Sequence, residues 1–115
     1  MAGRIAIIGG GNLGKAVAEG LLKSKFSKAG ELIITRRNVS ALGPLKAKGI
    51  TVTMDNAAAV RKSDVILLAV KPYQVSEVLT GIKKEMKAGK LLVSLVTGVS
   101  TEDILSILGK RVPVC

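Results

Sequence analysis

The sequence predicts an α/β fold: a doubly wound parallel sheet in three layers, with strand order 3-2-1-4-5-6. Three observations predict it. Short aliphatic runs alternate along the chain with longer amphipathic stretches. The most apolar run, Asp64 to Val70, has no polar alternation, which marks a strand buried on both faces. The core has to be aliphatic, because 48% of the residues are hydrophobic while the chain has one Phe, one Tyr and no Trp. At 115 residues the chain fits a single domain, residues 1–115.

Taken in order, Arg4 to Ile8 is the first strand. Asn12 to Lys25 is a helix, with Asn12 as its cap and Leu13, Val17, Gly20, Leu21 and Ser24 on one face, Ala16 beside them. Glu31 to Thr35 is the second strand. Ser40 to Lys48 is a helix containing Pro44, ended by Gly49, and Ile50 to Thr53 is the third strand. Asn56 to Lys62 is a short helical turn before the fourth strand, Asp64 to Val70, which Lys71 and Pro72 stop. Val75 to Met86 is helical, with Val78, Leu79 and Ile82 on one side. Lys90 to Val96 is the fifth strand. Thr101 to Leu108 is a helix capped by Thr101, its Ile104, Leu105 and Leu108 facing inward, and Arg111 to Val114 begins a sixth strand.

Between the first strand and the first helix, Gly9, Gly11 and Gly14 occupy the three glycine positions of G-x-G-x-x-G, with Gly10, Asn12 and Leu13 between them. Following a strand and opening a helix, this pattern predicts a dinucleotide site of the Rossmann type. Gly9 permits the turn, Gly11 lets the backbone approach a pyrophosphate, and Gly14 lets the helix lie close on the strand. The helix start then offers unpaired N–H groups and partial positive charge to the phosphates. No Gly-Lys-Ser/Thr follows, so the loop is not a P-loop.

The end of the second strand selects the cofactor. NAD-binding domains place an acidic residue there for the ribose 2′-hydroxyl. Here the chain reads Thr35, Arg36, Arg37, Asn38. A guanidinium pairs with a 2′-phosphate in a forked geometry, and Thr35 can add a hydroxyl, so NADP(H) is expected over NAD(H). Ligands in such sheets sit beyond the carboxyl ends of the strands. That adds Ala69, Val70, Lys71 and Pro72 after strand four, Leu95, Val96 and Thr97 at strand five, and Asn56 after strand three.

Several function classes are excluded. The chain has no His, which removes imidazole metal sites and every Ser-His or Cys-His nucleophile; no metal is expected. Its formal charge is +10, but the lysines are scattered over separate segments and aromatic platforms are nearly absent, so no nucleic-acid partner is expected. No apolar run is long enough to span a membrane. The single cysteine, Cys115, allows no internal disulfide. These features lead to the expectation of a cytoplasmic protein.

Four segments, Ile8 to Gly14, Thr35 to Asn38, Ser63 to Pro72 and Val93 to Val99, resemble pyrroline-5-carboxylate reductase in order and spacing; Ala69 to Pro72 (Ala-Val-Lys-Pro) is the most telling. The resemblance implies reduction of the C=N bond of 1-pyrroline-5-carboxylate to proline, with hydride from NAD(P)H. It implies cofactor contacts at Ile8 to Leu13, Thr35 to Arg37, Asn56, Ala69 to Pro72 and Leu95 to Thr97. It also implies a helical domain beyond Cys115 that forms a homo-oligomer and supplies most of the imine-substrate site, so the 115 residues alone are expected to be inactive. No catalytic residue is assigned. The residues leave open another NADP-linked oxidoreductase of similar build, of the F420-dependent NADP reductase or hydroxyacid dehydrogenase type, or a nucleotide-sensing regulatory domain.

Overall fold

The computed structural model describes residues 4–9, 11–24, 28–36, 43–86, 90–96, 98 and 101–108. Five strands form one sheet: β1 (Ile5–Ile8), β2 (Leu32–Thr35), β3 (Thr51–Thr53), β4 (Val65–Leu68) and β5 (Leu91–Ser94). Five helices alternate with them: α1 (Asn12–Lys23), α2 (Gly43–Ala47), α3 (Asn56–Arg61), α4 (Val75–Ile82) and α5 (Thr101–Leu108). The strand order is 3-2-1-4-5 and every pairing is parallel. The expected sixth strand, Arg111 to Val114, lies outside the described residues.

The register explains the layers. Ile5 and Ile7 align with Leu32 and Ile34 on one side and with Val65 and Leu67 on the other. Successive side chains alternate faces, so these positions share one surface, packed with Ala18 of α1 and Leu45 of α2. Ala6, Ile8, Ile66 and Leu68 point the other way, onto Val60, Leu79 and Ile104 of α3, α4 and α5. Each large aliphatic side chain buried this way stabilises the fold by about 1.5–3 kcal/mol.

Three expectations need correction. Strand four was expected to be buried on both faces, yet Val65 and Leu67 are only half-buried. The reason is coverage: α1 packs mainly on β1 and β2, and α2 on β3, so Val65 and Leu67 lie at the border of that cluster. The inward face of α1 is also rotated from the expected one. Gly14 and Ala18 are buried with Val17 and Leu21 partly so, whereas Leu13 (48% exposed), Ala16, Gly20 and Ser24 face outward. An added Cβ at Gly14 would lie 2.0 Å from the Gly9 carbonyl oxygen, so Gly14 has to face the sheet and sets the helix rotation. Finally, Asn12 is the first helical residue, and the cap position falls on Gly11, which makes no side-chain bond. Thr101 likewise opens α5 as a helical residue.

Candidate dinucleotide-binding site

At the carboxyl ends of β1, β2 and β4 the backbone converges on Gly9. The Ala69 amide donates to the Ile8 carbonyl at 2.9 Å, and the Gly9 amide donates to the Thr35 carbonyl at 3.2 Å. Gly9 has φ +107°, and a Cβ there would meet the Ala69 carbonyl oxygen at 2.8 Å. Only glycine combines that dihedral with that space. Gly11 differs: nothing lies within 4 Å of where its Cβ would stand. Gly9 is thus closed in by the end of β4, while Gly11 borders open space that a side chain would fill.

The start of α1 faces this opening. Gly11 makes no side-chain capping bond and the first turn carries no acidic residue. The first amide with a helical partner is that of Lys15, bonded to the Gly11 carbonyl at 2.9 Å. The preceding N–H groups are free of intrahelical partners and favour an anion.

A cleft of 640 Å³ extends from the loop. It is lined by Ile8, Gly9 and Gly11 from the loop, Thr35 and Arg36 from the end of β2, Asn56 from the start of α3, and Ala69, Val70 and Lys71 from the end of β4. These nine were expected from the sequence, and the fold brings them together from four separate strand ends. Gly14 lies beneath the loop. Leu13 is exposed on α1, and Pro72 opens the short turn Pro72–Gln74 outside the cleft lining. Leu95 and Val96 pack against the core beside β5 and do not line the cleft. Gly10, Arg37 and Thr97, and the side chain of Asn12, lie outside the described residues.

Sequence reasoning missed one wall. Met54, Asp55 and Ala57 around the start of α3, and Gln74, Glu77, Val78 and Gly81 along α4, also line the cleft. The α4 residues recur at helical spacing, but only the tertiary fold turns that stripe toward Arg36. Asp55 did leave a signal, an acid before a helical Asn-Ala-Ala-Ala run. Its carboxylate accepts from the Ala58 amide at 3.0 Å and caps α3. Gln74 is also engaged, its Oε1 accepting from the Lys71 amide at 3.1 Å. Among the described residues no cluster of His, Cys, Asp or Glu could hold a metal ion, and no helix is long and apolar enough to cross a membrane.

A parallel sheet that opens at its switch point beside a glycine loop and an unblocked helix start defines a dinucleotide-binding domain of the oxidoreductase type. The chain belongs to the family described as NADP oxidoreductase, coenzyme F420-dependent, whose model matches residues 4–98. The resemblance read from the motifs is borne out as well. The chain is 40% identical over 110 residues to pyrroline-5-carboxylate reductase 1 of Dictyostelium discoideum, covering 96% of this chain and 20% of that protein. It superposes on a pyrroline-5-carboxylate reductase of Coxiella burnetii with a TM-score of 0.92 at 31% identity, over 99% of this chain and 43% of the other. An imine reductase of Myxococcus stipitatus in complex with NADP+ matches with a TM-score of 0.80 at 25% identity, over 96% of this chain and 39% of the other. The chain thus spans less than half the length of each of these relatives.

Proposed function

We propose that this chain is the cofactor-binding half of a pyrroline-5-carboxylate reductase, and that it holds NADP(H) in preference to NAD(H). One observation carries the reading: residues from four strand ends line a single cleft, with a bare glycine loop at one end and Arg36 beside it. The relatives support the reductase assignment, and the NADP+ of the imine reductase supports a nicotinamide dinucleotide as the cofactor; the preference for NADP(H) rests on Arg36.

In this reading the Gly9–Gly11 backbone and the first amides of α1 hold the pyrophosphate. Arg36 pairs with the 2′-phosphate, and Asn56 reaches the adenosine side. Lys71 places a cation near the cofactor at the end of β4. NADPH, when bound, supplies the hydride that reduces the C=N bond of 1-pyrroline-5-carboxylate to proline. A helical domain of the longer enzyme closes the imine site, provides proton transfer and joins the subunits. The isolated 115 residues then bind cofactor and turn over little substrate.

Fluorescence titration with NADPH and NADH tests the reading. Arg36→Glu is expected to weaken NADPH by roughly ten- to a hundredfold, the worth of a charged hydrogen bond of about 1–3 kcal/mol, and to leave NADH nearly unchanged. Equal weakening of both removes Arg36 from the 2′-phosphate site.

A further inference from the structure

Thr35 ends β2 at the mouth of the cleft and is 1% exposed. Among the described residues, only Thr35 and Ser63 are polar and buried to this degree. A buried hydroxyl has to find a partner. Ser63 finds one locally, donating to the Ala59 carbonyl at 2.8 Å. The partner of Thr35 is the phosphate loop: the Gly9 amide, 26 residues away in sequence, donates to Thr35 Oγ1 at 3.4 Å and to the Thr35 carbonyl at 3.2 Å. Both oxygens of Thr35 share one N–H, and it belongs to the residue with φ +107° on which the loop turns.

We propose that Thr35 is a positioning residue, whose hydroxyl holds the Gly9 amide and thereby fixes the loop in the shape that receives a pyrophosphate. The inference rests on the dinucleotide reading above and divides the turn after β2 into two tasks. Arg36 reads the extra phosphate. Thr35, buried and with an oxygen lone pair turned to Gly9, sets the loop that every dinucleotide uses. Loss of the hydroxyl should therefore affect NADPH and NADH alike, where loss of the guanidinium affects NADPH alone.

Thr35→Val keeps the branched shape and removes Oγ1; Thr35→Ser keeps the hydroxyl. Thr35→Val is expected to weaken NADPH and NADH by the same factor, about three- to fivefold, since one arm of a shared hydrogen bond is lost while the arm to the Thr35 carbonyl stays. Thr35→Ser should stay within about twofold of the parent. In the ligand-free protein, amide hydrogen exchange at Gly9 should speed up severalfold in Thr35→Val and not in Thr35→Ser. Weakening confined to NADPH would make Thr35 a direct 2′-phosphate contact and overturn the proposal, as would unchanged exchange at Gly9. If the parent chain binds neither dinucleotide, the cofactor reading falls, and exchange at Gly9 alone decides whether the hydroxyl holds the loop. Should Thr35→Val fail to fold, Thr35→Ala set against Thr35→Ser provides the same contrast.

Discussion

Helices α1 and α3 both begin at the carboxyl edge of the sheet and both border the cleft, but they are finished in opposite ways. At the start of α3 the Asp55 carboxylate accepts the Ala58 amide, while Thr53 Oγ1 accepts the Asp55 amide at 3.1 Å. At its far end Lys90 Nζ donates to the carbonyls of Val60 at 2.7 Å and Arg61 at 3.2 Å, and also to that of Ser63. This six-residue helix is thus plugged at both ends by side chains of its own domain. The twelve-residue α1 begins just after Gly11, with no side-chain cap and no acid in its first turn. A glycine in place of a capping side chain forgoes a few tenths of a kcal/mol of stability. The difference teaches that a helix start can be closed by the fold or left open by it. The short helix secures its place in the fold with its own polar groups, and the long one, docked through Gly14, leaves its first amides without a side-chain cap.

The comparison can be broken most severely at the docking point. Gly14→Ala puts a methyl 2.0 Å from the Gly9 carbonyl oxygen, so α1 has to lift from β1. A loss of about 2–3 kcal/mol of stability is expected from such overpacking, with NADPH binding falling beyond detection; urea denaturation and fluorescence titration measure the two. At the far end of α3, Lys90→Met keeps the aliphatic stem and deprives three carbonyls of the ammonium. Unfolding should become easier by about 1–3 kcal/mol while NADPH affinity stays near that of the parent. The smallest effect belongs to Asp55→Ala, which uncaps α3 for about 1 kcal/mol in the same denaturation assay. A large loss of NADPH affinity in Lys90→Met would mean that α3, and not α1, shapes the phosphate end of the cleft.

Much of this was legible in the sequence, because the informative patterns are local. Four of the five described strands are aliphatic runs, the third is the short Thr-Val-Thr after Ile50, and their parallel order follows from alternation with helices. The loop was legible because three glycines at fixed spacing have few other uses. What escaped notice depends on distant residues. The rotation of α1 is set by the fit of Gly14 beneath Gly9, which outweighs the apolar count that favoured Leu13. Lys90 looks like one more surface lysine until the fold carries it to the end of α3. Glu77, Val78 and Gly81 join the site only because α4 flanks the cleft that Arg36 enters. Thr35 was expected to offer its hydroxyl to a phosphate; that its oxygen also accepts from the Gly9 amide, 26 residues away in sequence, only the fold reveals.

The central claim is that the open start of α1 is reserved for the pyrophosphate, and filling it tests that claim most directly. Gly11 has ordinary φ, −75°, and free space for a side chain, so Gly11→Asp can fold and cap the helix. An aspartate there should stabilise the protein by about 0.5 kcal/mol, a rise in melting temperature of roughly 2–4 °C. The same carboxylate should repel the phosphates, and titration of this variant should give NADPH affinity lowered by about a hundredfold or more, roughly 3 kcal/mol. A variant that binds NADPH as tightly as the parent would contradict the account.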